Sequence, residues 1–255
     1  MFKDEHGLKI EKEAKKNQKK PKEFCDEISK NFQHVFDFYK IKYTNFIRTT
    51  DEEHIETIEE IWNLLKKDIY FGRYEGWYCI SDESFVTNVI ETESGEILSK
   101  ESNKLCEWVV EENFKFNLKK YKEKVYHWLI ENPNVIKPKS KYLETLNIID
   151  DVFKEDLSIS RSIKRVEWGI KVPNFENQII YVWLDALFNY YTTGKKLKIW
   201  PPEFQVLGKD ILKFHALIWP ALLMSVNFDL PKNLLIHSHW TGKISEKIII
   251  KKVKI

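Results

Sequence analysis

Residues 208–220, GKDILKFHALIWP, set a glycine, a lysine and an aspartate ahead of a histidine and a tryptophan four apart. A helix that merely packs needs none of these. At the end of a strand, Gly208 would let a ligand approach the backbone, and the helix that follows would turn its positive N-terminal end toward phosphate. Asp210 could accept hydrogen bonds from ribose hydroxyls, and His215 and Trp219 would share a helical face. The plainer alternative is structural: a glycine closing a strand, an aspartate N-cap and a satisfied interior histidine.

A second strand end reads YVWLDALFNYY, with Trp183, Asp185, Ala186 and Tyr190. Aromatic rings beside a small residue make an apolar slot, and thioethers pack well against such rings; ordinary core packing is the competing explanation. Near the amino end, DEHG places Asp4, Glu5 and His6 before Gly7. Metal binding comes first to mind, yet no further histidine stands at ligand spacing. A carboxylate receiving a substrate amino group fits equally well, and so does a solvated loop. ISRSIKR adds Arg161 and Arg165; Arg161 could brace a buried acid through a bidentate pair, although a surface arginine is the commoner case.

These residues need elements to hold them. PKEFCDEISKNFQHVFDFYK spaces Phe24, Ile28, Phe32, Val35, Phe36 and Tyr39 at three and four, one helical face, with Pro21 suited to the first turn. A second helix begins near Thr50, where TDEE reads as a capping box closed by Glu53, and continues through Ile58, Ile61, Trp62 and Leu65. From about 71 to 165 the pattern changes. YEGWYCISDESFV is rich in β-formers, ETESGEILSKESNKLCEW carries a glycine turn between two polar arms, and Tyr121, Val125 and Leu129 return to helical spacing. This middle part reads as a small mixed module inserted into a larger fold. From about 178 the chain alternates: QIIYVWL as an apolar strand, DALFNYYT as a helix, FQVLG as a strand, KDILKFHALIWPALLMS as a helix and NLLIHSHW as a strand. Buried strands separated by helices predict a parallel sheet, with ligands beyond the carboxyl ends of its strands.

Composition sets the bounds. The 255 residues are 43% apolar and 31% charged, with 9 Trp, so a real core can form. A formal charge of +2 argues neither for nor against a nucleic-acid partner, so any such contact must be local. Cys25, Cys79 and Cys106 lie far apart and show neither a CxxC pair nor a disulfide framework, which predicts free thiols in a reducing compartment. No apolar run approaches the ~20 residues that span a bilayer, so no membrane partner is expected.

Taken in order, DEHGLKI, DFYKIKYTNFIRTTDEEH, YEGWYCISDESF, EWVVEENFKFNL, LSISRS, YVWLDAL, GKDILKFHALIWPALLM and HSHWT resemble the catalytic domain of the methionyl-tRNA synthetases, class I aminoacyl-tRNA ligases. The resemblance runs from residue 4 to about 241, and YVWLDAL and GKDILKFHALIWP are its most specific parts. It implies an α/β fold: a Rossmann-type parallel-sheet core split by a small α+β connective-peptide insertion. Residues 1–70 would be the amino-terminal part of that core, 71–165 the insertion, 166–241 its second half and 242–255 an aberrant tail. The implied activity is ATP-dependent activation of L-methionine and its transfer to methionine tRNA, with Mg2+ as counter-ion. The insertion lacks paired cysteines, like the zinc-free form of mitochondrial enzymes, so no zinc is expected and the mitochondrial matrix is implied, with the cytoplasm as alternative.

Carried over residue by residue, the resemblance implies that Asp4 holds the methionine ammonium group, braced by Arg161, and that Trp183, Ala186, Tyr190 and His215 line the side-chain pocket. Gly208 and Asp210 would contact the adenosine part of ATP, with Trp219 nearby. Leu187 stands where the family often has proline. Two charge-stabilising motifs depart from the pattern. HIGH should precede DEHG by a few dozen residues, and three residues stand there, so the first core strand would be missing too. After HWT, Lys243, Ile244 and Ser245 resemble a degenerate KMSKS about two residues early, Lys243 being its catalytic relic, and Glu246 replaces the second lysine. IIIKKVKI, itself β-prone, follows in place of the helical anticodon-binding domain. Two readings compete: an incomplete piece of a working ligase, or a non-catalytic remnant that at most binds methionine. A different class I nucleotide-handling protein would need another motif in place of YVWLDAL. Without the two motifs the 255-residue chain is expected to show no methionine-dependent ATP–pyrophosphate exchange.

Overall fold

The computed structural model of the chain describes residues 2–79, 81–82, 84–86 and 88–239. Among them run the helices α1 (Leu8–Lys16), α2 (Pro21–Phe38), α3 (Glu52–Leu65), α4 (Lys122–Glu131), α5 (Lys139–Val152), α6 (Val182–Leu197) and α7 (Trp219–Val226). The chain forms two compact units, each discontinuous in sequence: Met1–Asn117 with Asp156–Lys198, and Leu118–Glu155 with Ile199–Ile255. Compactness thus groups 118–155 with the carboxyl-terminal segment, a different division from one cut at 70, 165 and 241.

In the first unit the strand Phe2–Lys3 pairs in parallel with Ile47–Arg48. Proline starts α2, as its missing N–H allows. In α3 the stripe Ile58, Ile61, Trp62 and Leu65 is buried as its spacing predicts. The capping box does not form. Asp51 is the N-cap and makes no side-chain cap bond, Thr50 donates its hydroxyl to Glu5 at 2.6 Å, and Glu53 pairs with Lys196 at 2.5 Å. A buried carboxylate and a nearby cation offered these side chains stronger partners than a helix end does.

Strands Ile69–Cys79 and Cys106–Phe116 run antiparallel over their whole length, from Ile69 opposite Phe116 to Cys79 opposite Cys106. Ser84–Val86 and Leu157–Ser158 extend this sheet at its two edges. The glycine turn is a hairpin, Val89–Glu91 against Ile97–Ser99, with Gly95 at φ 81°, where a side chain would be strained. QIIYVWL is not one strand. Phe175–Ile180 lies antiparallel between Ser160–Ser162 and Lys171–Val172, Tyr181 is an N-cap, and Val182 already belongs to α6. An unbroken apolar run fits a buried strand and a buried helix equally, so periodicity could not find the junction.

In the second unit Leu234–His237 sits between Gln205–Gly208 and Ile136–Lys137, all parallel, as the alternating βα pattern requires. Tyr121, Val125 and Leu129 bury one side of the turn leading through α4. The segment after Gly208 is three elements: a 3-10 turn at Lys209–Ile211, a π-helical turn at Phe214–Ile218, then α7. Pro220 explains the break, since it has no N–H to return and its ring crowds the preceding turn. No helix among the described residues is long and apolar enough to cross a membrane.

Candidate functional site

The first unit carries the amino-terminal candidates. Asp4 follows the short parallel strand and is exposed, whereas Glu5, His6 and Gly7 are buried. DEHG is therefore anchored, not a solvated loop. Gly7 adopts φ 103° and donates its N–H to the Trp168 carbonyl at 3.0 Å, a conformation suited to glycine. Glu5 receives Arg48 Nε at 3.0 Å on both carboxylate oxygens, and its backbone N–H donates to Thr49 Oγ1 at 3.0 Å. The Trp168 indole N–H donates to the Glu5 carbonyl at 2.5 Å. The chain on either side of Asp4 is thus fixed from several directions.

α6 presents two nearly opposite faces, as the ~100° step per residue dictates. Trp183, Ala186 and Tyr190 fall on one side, with Trp183 and Tyr190 half-buried and Ala186 buried. Burial pushes the Tyr190 phenol upward, which keeps it neutral. Leu187 is interior. On the other side the carboxylate of Asp185 meets two imidazoles, His6 Nδ1 at 2.6 Å and His54 Nε2 at 2.8 Å. Burial alone would raise Asp185, but the His6 charge and the hydrogen bonds from His54 and His6 hold it below the ordinary carboxylate value. Burial disfavours the His6 cation, and the charge and hydrogen bond of Asp185 outweigh that and raise it.

Arg161 lies in the strand Ser160–Ser162 and is only 3% exposed. Its Nη1 donates to Ser158 Oγ at 2.9 Å and to the Ser160 carbonyl at 2.7 Å, and its guanidinium stacks 4.1 Å over the Tyr181 ring. Among the described residues it forms no ion pair with Asp4 or any other carboxylate. Arg165 instead pairs with Glu107 and also reaches Glu111 at 3.4 Å.

Gly208, Asp210, His215 and Trp219 belong to the second unit. Gly208 ends its strand as expected, but the close approach it permits is internal. A Cβ there would come within 2.7 Å of Asp210 Oδ1 and 3.4 Å of the His239 ring. His239 Nε2 in turn lies 3.1 Å from Asp210 Oδ1. His215 is buried in the π-helical turn, its Nδ1 donates to the Ile211 carbonyl at 3.0 Å, and burial lowers it to about 4, so the ring is neutral. Trp219 is fully buried and packs edge-on against Trp200 at 6.0 Å. Lys243 and the rest of the degenerate motif lie outside the described residues.

Each unit therefore ends short parallel strands in polar, chemically capable residues, with an aromatic helix face in the first and a neutral buried histidine in the second. The model for tRNA synthetases class I (M) matches residues 2–104 and 90–248. The chain belongs to the class I tRNA synthetases (M). Among relatives of this synthetase family, the probable mitochondrial methionine–tRNA ligase of Neurospora crassa is 41% identical across 93% of the chain, and the human mitochondrial methionine–tRNA ligase is also 41% identical across 93%. The chain spans 41% and 42% of their lengths. The crystal structure of Mycobacterium tuberculosis methionyl-tRNA synthetase bound by methionyl-adenylate superposes with a TM-score of 0.90 at 32% identity, covering 97% of this chain and 50% of that one. The α/β architecture with parallel strands is the class I synthetase fold.

Sequence reasoning overlooked His54 and undervalued Asp185 as an anchor. The signal for His54 was its position one turn before Ile58 on the apolar stripe of α3, where an interior histidine must find a polar partner.

Proposed function

We propose that this chain is part of a methionine–tRNA ligase, with L-methionine, ATP and methionine tRNA as substrates and the mitochondrion as its place of work. The observation that carries this reading is the face of α6, where Trp183, Ala186 and Tyr190 stand together above a buried anchor, in a chain similar to a synthetase bound by methionyl-adenylate. In this proposal the Trp183 and Tyr190 rings wall the thioether side chain and Ala186 leaves it room. Asp4, exposed at the strand end, receives the ammonium group. Arg161, buried and without a carboxylate partner among the described residues, adds local positive potential and not a direct brace. A neutral His215 serves the methionine side chain, and Gly208, Asp210 and Trp219 serve the adenosine of ATP.

The chemistry is attack of the methionine carboxylate on the α-phosphate, with charge growing on phosphate oxygens that donors and cations must stabilise. Among the described residues no three His, Cys, Asp or Glu side chains converge as a metal cage. Magnesium would then enter with ATP as part of the substrate, a common arrangement for this ion. We propose no resident zinc. Lys243 is the one cation carried over from KMSKS.

Glu246, where the resemblance expects a second lysine, favours a second reading: methionine binding without activation. Titration calorimetry with L-methionine, followed by methionine-dependent ATP–pyrophosphate exchange on the same preparation, separates the two. Heat with exchange supports the ligase and overturns the second reading, heat without exchange is the outcome expected of the isolated 255-residue chain under either reading, and neither signal overturns both.

A further inference from the structure

Asp185 takes no part in the roles proposed above, yet it is among the best-connected side chains of the first unit. Its carboxylate bonds His6 from the DEHG segment at 2.6 Å and His54 from α3 at 2.8 Å. The chain of contacts returns to α6, because His54 Nδ1 lies 2.9 Å from Thr192 Oγ1, whose hydroxyl donates to the Phe188 carbonyl at 3.1 Å. Asp185 and Thr192 are seven residues apart and share a face, so His54 grips the helix at two points two turns apart. All four side chains are buried.

We propose that Asp185 and His54 are positioning residues that fix the rotation of α6 about its axis, and so hold the Trp183–Ala186–Tyr190 face in register with Asp4. This rests on the methionine reading for its functional consequence. A helix held only by apolar contacts can roll by a few degrees at small cost, whereas two hydrogen bonds on a charged acceptor resist it. Because Trp183 and Asp185 project to nearly opposite sides, rotation that breaks the clamp moves the aromatic wall. His6 passes the same constraint to Asp4, two residues away.

The test uses the 255-residue chain labelled with 5-fluorotryptophan, its Trp183 resonance assigned by the loss of signal in Trp183→Phe. His54→Ala is expected to weaken methionine binding about five-fold, the size of one ordinary net hydrogen bond, and to shift or broaden the Trp183 resonance. The stoichiometry of binding sites should not change. His54→Gln keeps an N–H near the Nε2 position and should restore both readouts. Thr192→Val, nearly isosteric, should give a smaller change in the same direction, and it carries the test if His54→Ala does not fold. A purely structural role would lower stability or active fraction while leaving the dissociation constant and the Trp183 resonance of folded molecules unmoved, and that result overturns the proposal. Should the unaltered chain bind no methionine, the resonance alone decides: a shift in His54→Ala keeps the clamp while the methionine reading falls.

Discussion

Arg48 and Glu5 form a bidentate pair in the first unit: Arg48 Nε stands 3.0 Å from Glu5 Oε1 and Nη2 stands 2.8 Å from Oε2, and Glu5 is wholly shielded from solvent. Asp26 holds the same guanidinium at 2.6 Å, so the pair ties the strand after α2 and α2 itself to the residue beside Asp4. Removing one partner leaves a buried charge. Arg48→Ala should therefore cost about 3 kcal/mol or more of unfolding free energy, read as a lower urea midpoint with an unchanged slope. A loss below about 1 kcal/mol, the scale of an exposed pair, would show that water reaches Glu5.

Trp183→Ala removes the aromatic wall of α6 while sparing the helix's buried side. Methionine binding is expected to fall more than about ten-fold, an effect of at least 1.4 kcal/mol, with the melting temperature little changed. Unaltered calorimetry would remove Trp183 from the pocket.

Stability should rise with pH between about 4 and 6.5 through His215. Folding lowers its value to about 4 by burial, while an unfolded histidine titrates near 6.5. Between those limits the unfolded state binds more protons, so stability is lost as pH falls through the window. His6 has the opposite sign: its raised value contributes stability below the ordinary histidine range that fades as pH climbs through the folded value. His215→Asn keeps a donor for the Ile211 carbonyl without titrating there, and denaturant unfolding from pH 4.5 to 7.5 should show a flatter profile. An unchanged slope would assign the window to other groups.

Gly208→Ala places a Cβ against Asp210 Oδ1, the mobile end of a side chain. The fold should lose less than about 1 kcal/mol, because Asp210 can swing away and the backbone at φ −69° accepts alanine. That swing breaks the contact with His239, so ATP affinity should fall without a matching drop in melting temperature. A variant with full ATP affinity would exclude Asp210 from the nucleotide site.

Burial raises the thiols of Cys25 and Cys106, each to about 11, and raises that of Cys79 as well. Iodoacetamide at pH 7.5 should label all three slowly, at rates that follow denaturant-induced opening. Rapid labelling of Cys79 or Cys106 in the folded protein would mean that their sheet opens on its own.

Much of this was legible before any coordinates. The α3 stripe, the proline start of α2, the Gly95 hairpin and the parallel pair after Phe204 follow from spacing and turn chemistry, which act over a few residues. What could not be read depended on partners distant in sequence. Thr50 and Glu53 look like a capping box until Glu5 and Lys196, 45 and 143 residues away, claim their side chains. The π-helical turn before Pro220 and the strand-to-helix change at Tyr181 escaped for a different reason, since apolar content is the same on both sides of each boundary.

The sequence by itself determined the family, through the order and wording of motifs such as YVWLDAL and GKDILKFHALIWP, because side chains that serve a common chemistry recur as local words. It also determined which residues are candidates for that chemistry. Tertiary structure decided how those residues are held: that Arg161 bonds Ser158 and stacks on Tyr181 and makes no pair with Asp4, that Gly208 makes room for Asp210, and that Asp185 lies between His6 and His54. Those outcomes are competitions among polar groups in the interior, where every buried donor and acceptor needs a partner, and the winner is whichever group the folded chain brings within about 3 Å.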